Sequence, residues 1–221
     1  MIKQLVDTHF AGHYKLGRVV TIDENHTTDS RFDLNEHSGT AIVAFSSGSA
    51  SFVNDARQDI TVLDYEGYID KYTGTQFHTG RMKCDCILES ETRSTVILDE
   101  ITTSVSGIEN LQKPITGKKE YPGGKFEKAE QQLLVSLKTL YDVPEIAIHL
   151  DSQLKRVCLC SYKLYTSSAM AFIGDPITAF TRGMTEAERQ SGGNGVKISC
   201  PKIEALGFEY RRVSHAFAYS I

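Results

Sequence analysis

The strongest constraint on the fold lies between Lys125 and Tyr141. Phe126, Ala129, Leu133, Leu134, Leu137, Leu140 and Tyr141 recur there at spacings of three and four, making one apolar stripe on a helix. Pro144 limits that helix. Before it stand two short apolar or β-branched runs, Lys83-Cys-Asp-Cys-Ile-Leu88 and Thr95-Val-Ile-Leu-Asp-Glu-Ile101, joined by the polar segment 89–94. They read as a hairpin of central strands, and Lys155–Leu164 reads as a further strand. The order over 83–164 is therefore strand, strand, helix, strand. A helix with one apolar stripe must bury it against another element, and the neighbouring strands supply one, so the expectation is an α/β or α+β fold, a mixed central sheet with flanking helices.

The flanks are less patterned. Residues 1–35 are polar and poorly periodic, which suggests irregular or peripheral structure. Thr40–Phe45 and Ser49–Val53, separated by Ser-Ser-Gly, suggest an antiparallel hairpin. Ile60–Tyr72 is β-rich but broken by Gly67, as in a bent strand or bulge. Toward the end, Thr185 and Glu188 form a capping box for a short helix stopped by Gly192-Gly193, and Val196–Cys200 and Phe208–Val213 are strand candidates. No repeat, low-complexity tract or Pro-rich linker divides the chain. One domain over 1–221 is expected, with its core at about 40–164 and elaborations on both sides.

Composition excludes some functions. A net charge of -4 gives no global attraction to phosphate, so nothing in the charge favours a general polyanion binder and any nucleic-acid contact must use a local patch. No apolar run approaches the roughly 20 residues that span a bilayer, so no membrane partner is expected. Five cysteines, an odd number, and the absence of an apolar leader in Met1–Leu5 point to a reducing cytoplasm.

The residues best placed for chemistry are Asp85 on the first central strand and Glu100 on the second. Adjacent antiparallel strands can bring such carboxylates side by side, where their oxygens suit Mg²⁺ or Mn²⁺. Asp99 points to the face opposite Glu100, so only one of the two can join Asp85.

Here the chain resembles the restriction-endonuclease-like superfamily. Its signature is an Asp, a gap, then Asp/Glu-x-Lys on the neighbouring strand, followed by a helix and a strand. The resemblance covers roughly 83–164. It implies that Asp85 and Glu100 hold metal, that the position of Thr102 corresponds to the lysine, and that the activity is metal-dependent phosphodiester hydrolysis of DNA, with a homodimer by analogy. The chain departs from the pattern at two positions: Cys84 precedes Asp85 where the family has Pro, and Thr102 cannot supply a positive charge. Lys83, two residues before Asp85, is the candidate substitute, with the Thr102 hydroxyl assisting. Glu66 is an additional candidate metal ligand; its alternative is an edge-strand acid facing water. Lys118, Lys119 and Lys125, with Lys128, form the densest basic cluster and flank Pro122-Gly-Gly124. They are candidates for the DNA backbone, although a solvated loop explains the same residues.

Other motifs fail on spacing. Gly117-Lys118 and Gly124-Lys125 do not make a phosphate-binding P-loop. Cys84-x-Cys86 and Cys158-x-Cys160 could hold zinc in principle, but strand cysteines at this spacing read as buried core. His9 and His13 lack the intervening Glu of a zinc hydrolase, no Gly-x-Ser-x-Gly elbow surrounds Ser47 or Ser167, and Cys200 reads as a strand-end core residue rather than a nucleophile. The alternative to a nuclease is a non-catalytic nucleic-acid-binding or assembly subunit that keeps a degenerate core of this kind.

Overall fold

A computed structural model describes the chain except for residues 36–38, 91, 93, 105–108, 118 and 165–193. In chain order the elements are a helical segment of α1 (Ile2–Leu5), a π-helical turn (Val6–Phe10) and α2 (Ala11–His13), then β1 (Glu24–Thr27), β2 (Arg31–Asn35), β3 (Ala41–Val43), β4 (Ala50–Val53), β5 (Ile60–Asp64) and α3 (Tyr65–Asp70). There follow β6 (Cys86–Ser90), β7 (Thr95–Ser104), α4 (Glu109–Gln112), α5 (Gly124–Tyr141), α6 (Pro144–Asp151), β8 (Lys155–Leu164), β9 (Val196–Lys197), α7 (Pro201–Glu204), β10 (Glu209–Ser214) and β11 (Tyr219–Ser220).

The expected mixed sheet with flanking helices is present: a seven-stranded sheet runs in the order β1-β5-β6-β7-β8-β10-β9. The β6–β7 pair is antiparallel, whereas β7–β8 and β8–β10 are parallel. Helix α5 crosses between β7 and β8, packing on both. Period-two alternation sorts the sheet residues into two cores. Ile87, Val96, Leu98, Cys158 and Cys160 face the α5 stripe of Phe126, Leu133 and Leu137. Cys86, Leu88, Ile97, Val157 and Leu159 face Phe32, Leu34 and Phe52 of a second, four-stranded sheet, β11-β4-β2-β3. All five cysteines are buried free thiols, and Cys86 lies in a different core from Cys84, Cys158 and Cys160, so the four cannot converge on one zinc ion. Burial pushes the four strand-region thiols up, as expected for inert core residues.

Several expectations are corrected. Residues 1–35 hold a helical segment and two strands, because Ile2, Val6 and Phe10 share one buried face and Phe32 and Leu34 enter the second core. Gly12 does not prevent helix at His13, and His9 packs against Glu145 at 3.5 Å. The runs at 40–45 and 49–53 are not a hairpin; β2 lies between β3 and β4 and pairs with both. Ile60–Tyr72 is a strand followed by a helix. Pro144 opens α6 at its first turn, where its missing N–H costs nothing. The capping box at Thr185, Gly192-Gly193 and Ser167 lie outside the described residues. Among the described residues no helix is long and apolar enough to cross a membrane.

Asp64 caps α3 by accepting a hydrogen bond from the Gly67 N–H at 3.1 Å. A β-carbon on Gly67 would meet the Asp64 carboxylate at 2.1 Å. Glycine in a helix is ordinarily about 1 kcal/mol worse than alanine, but here the sign reverses: Gly67→Ala is expected to destabilise by about 2 kcal/mol, the scale of local overpacking. Urea unfolding reads this directly; a more stable variant would show that the cap does not hold α3.

Candidate active site

Asp85 stands just before β6, where the regular ladder ends. Cys86 pairs with Asp99, and the Asp85 N–H donates to the Asp99 carbonyl at 3.1 Å. Two residues on, beyond the last β6–β7 pair, the Ile101 N–H donates to Asp85 Oδ2 at 2.6 Å. The Asp85 side chain is thereby fixed beside the Glu100–Ile101 peptide. Its carbonyl accepts from the Glu66 N–H at 3.0 Å and the Thr40 hydroxyl at 3.4 Å, docking the start of α3 against the same point.

Glu66, Asp85, Glu100 and Thr102 line one cavity of about 330 Å³, whose remaining wall includes Lys125, Lys128 and Gln132 of α5. Glu100 lies on the helix-facing side of β7 with Val96 and Leu98, whereas Asp99 faces the second sheet and accepts from the Ser161 N–H and hydroxyl at 3.3 and 3.0 Å. Asp99 is structural and Glu100 belongs to the cavity.

Glu100 is only 6% exposed and its Oε2 has no hydrogen-bond partner. Burial first, then the Asp85 carboxylate, pushes its carboxyl well up, with Lys128 opposing. Gln132 donates to the Lys83 carbonyl at 2.8 Å, while its Oε1 is also buried without a partner. Two unmatched acceptors thus meet in one cavity beside a second buried carboxylate. Buried acceptors ordinarily have donors; a water, a proton or a cation would each satisfy these two.

Among the described residues, no three His, Cys, Asp or Glu side chains are already disposed to hold a metal ion. Magnesium does not need three; it is commonly held by one or two carboxylates and completes its octahedron with water and phosphate oxygens. Asp85 and Glu100, with Glu66 at the rim, fit that requirement.

Lys83 does not line the cavity. Residues 81–85 precede the strand, so period-two alternation does not place Lys83 with Asp85. Its ammonium pairs with Asp70 and lies 3.8 Å from Glu66. Burial pushes the Asp70 carboxyl up, but Lys83 and His78 outweigh it and hold that carboxyl below its ordinary value. The cavity's positive charge comes instead from α5, at Lys125, which donates to the Thr103 carbonyl at 2.6 Å, and at Lys128. Lys125, Lys128 and Gln132 have i, i+3, i+7 spacing, a polar stripe beside the apolar one. That stripe was the available signal for Lys128 and Gln132. Lys119 lies on the hairpin closed by the Ile115–Tyr121 bridge, away from the carboxylates, and Lys118 lies outside the described residues. No protein-family model, curated protein or solved structure matches the chain.

Proposed function

We propose that the cavity hydrolyses phosphodiester bonds of DNA with a divalent cation, Mg²⁺ or Mn²⁺, held by Asp85 and Glu100 and supported by Glu66. The observation that carries this reading is the buried, unpartnered Oε2 of Glu100, a residue that lines the cavity together with Asp85. The resemblance to a restriction-endonuclease-like core supports it through the order β6, β7, α5, β8 and the parallel β7–β8 pair. The cation supplies Lewis-acid stabilisation of the phosphoryl oxygens and lowers the pKa of water. Asp85, oriented by the Ile101 N–H, presents a fixed carboxylate, and Glu100 would hold the cation with Asp85 in its deprotonated form.

Lys128 takes the role that the resemblance gives to the position of Thr102, placing an ammonium beside the reacting phosphate. Lys125 is tied to the Thr103 carbonyl and positions the start of α5, and Thr102 offers a hydroxyl at the rim. Lys83, engaged with Asp70, holds α3 and so Glu66. Lys128→Met is therefore expected to lower kcat by about 10²–10³, the effect of losing one electrostatic stabiliser, and Lys83→Met by less than about tenfold. Single-turnover cleavage of a supercoiled plasmid in Mn²⁺ separates them; the reverse ranking would return the catalytic charge to Lys83.

A further inference from the structure

A second cavity differs from the acidic one in charge. It has a volume of about 310 Å³ and is lined by the loop residues Phe77, Thr79, Arg81 and Met82, by Lys119 and by Val135 of α5, with Gln76 and Gly80 completing the wall. Two cations and no carboxylate line it, in a chain of net charge -4. The acidic cavity has three carboxylates, and the cavity beside Phe126 and Arg212 has Glu127 and Glu130. This concentration of positive charge matches an anion.

Its walls also fit something flat. The Arg81 guanidinium lies 3.9 Å from the Phe77 ring centroid, held there by donation from Nε to the Phe77 carbonyl and from one Nη to Thr139 Oγ1, each at 2.9 Å. Those bonds use two of the five donors of arginine, and they preorganise a cationic plane on an aromatic one. Met82 adds a polarisable thioether whose sulfur lies 2.8 Å from the Lys119 ammonium. Planar cation, aromatic ring, thioether and a long-stemmed ammonium are the groups that suit stacking on a base and charge pairing with a phosphate.

Helix α5 contributes to the walls of both cavities. Gln132 lines the acidic cavity and Val135 the second, about 4.5 Å apart along α5 at 1.5 Å rise per residue. The hairpin closed by Ile115 and Tyr121 reaches both, with Ile115 at the first and Lys119 at the second.

We infer that the Phe77–Arg81–Lys119 cavity binds an unpaired nucleotide of the strand whose phosphodiester enters the acidic cavity. The inference rests on the hydrolytic reading above and narrows its substrate to single strands, or to strands with an unpaired segment. In a duplex both faces of each base are covered by stacking and cannot reach the Phe77–Arg81 plane.

The test is fluorescence anisotropy with labelled dT12, rU12 and a 12-base-pair DNA duplex, in Ca²⁺ and in EDTA, for the wild type and a Thr79→Glu/Lys119→Glu variant. Both substituted side chains are exposed, and thermal melting checks that the variant is folded. Arg81→Lys, which keeps the charge and removes the plane, is the second variant. Wild type is expected to bind a single strand at least tenfold tighter than duplex, and the ratio of dT12 to rU12 identifies the preferred sugar. The double variant is expected to lose at least tenfold in single-strand affinity, with a shallower salt dependence by about 0.7 per lost phosphate contact. Arg81→Lys is expected to lose affinity without that change in slope. Equal single-strand affinity in wild type and double variant, or a preference for duplex, would overturn the inference even if plasmid is cleaved. Variant-sensitive single-strand binding without metal-dependent cleavage would instead remove the hydrolytic reading and leave this subsite standing.

Discussion

A Glu100→Gln protein should melt higher than the metal-free wild type while losing its cleavage activity. The carboxyl is buried against Asp85 and its pKa is raised well above the ordinary value by burial and by that charge. The folded state therefore holds a proton that the unfolded chain releases. Between the unfolded value, about 4.3, and the raised folded value, the unfolded state binds fewer protons and stability falls as pH rises. Glutamine has no such dependence. Its replacement of Glu100 is expected to add about 1–2 kcal/mol near neutral pH, the scale of one pKa unit or slightly more of differential protonation, or roughly 2–8 °C in Tm for a chain of this size. It should also flatten the rise in wild-type stability on acidification toward pH 5. Loss of a cation ligand should lower kcat by at least about 10³, since metal stabilisation contributes several kcal/mol. Differential scanning calorimetry across pH, with plasmid cleavage on the same samples, tests both halves; a Glu100→Gln protein less stable than wild type at pH 7 would show that Oε2 is well partnered.

The second large effect is a division between two substitutions of Asp85. Asp85→Asn keeps an oxygen that can accept from the Ile101 N–H and relieves the repulsion on Glu100, so its stability should stay within about 1 kcal/mol of wild type or exceed it. Asp85→Ala leaves that buried N–H without an acceptor and should cost about 1–3 kcal/mol. Cleavage should be lost in both. Chemical denaturation distinguishes them: equal destabilisation would mean that the bond to Ile101, at 2.6 Å, does not fix Asp85.

Much of the fold around the candidate site was legible because its signals are local. The α5 stripe, the polar turn between β6 and β7 and the apolar run of β8 each declare themselves within a dozen residues. Once β6 and β7 pair with Cys86 opposite Asp99, alternation sends Glu100 to the helix side and Asp99 to the other. The rest depends on partners distant in sequence. Strand β2 is short and Arg31-Phe-Asp-Leu-Asn35 looks half polar, but Asp33 is buried because its Oδ2 accepts from the Gly48 N–H at 2.8 Å, a bond that no local pattern announces. Insertion of β2 between β3 and β4 erased the expected hairpin for the same reason. Tyr65, Tyr68 and Ile69 favour strand by type, but the Asp64 cap and Gly67 turn the chain into α3, which is what brings Glu66 to the cavity. Lys83 was mislocated because strand alternation was extended three residues beyond where the strand begins, and Lys128, inside the expected helix, was grouped with the basic loop cluster rather than with the carboxylates.

The most direct test of the central claim is isothermal titration of Mn²⁺ into wild type and Glu100→Gln between pH 6 and 8, in buffers of different ionisation enthalpy. The account predicts binding to wild type with release of a proton, affinity rising with pH as the Glu100 proton becomes easier to displace, and no measurable binding to Glu100→Gln. Absence of binding to wild type, or equal binding to both proteins without proton release, would contradict it.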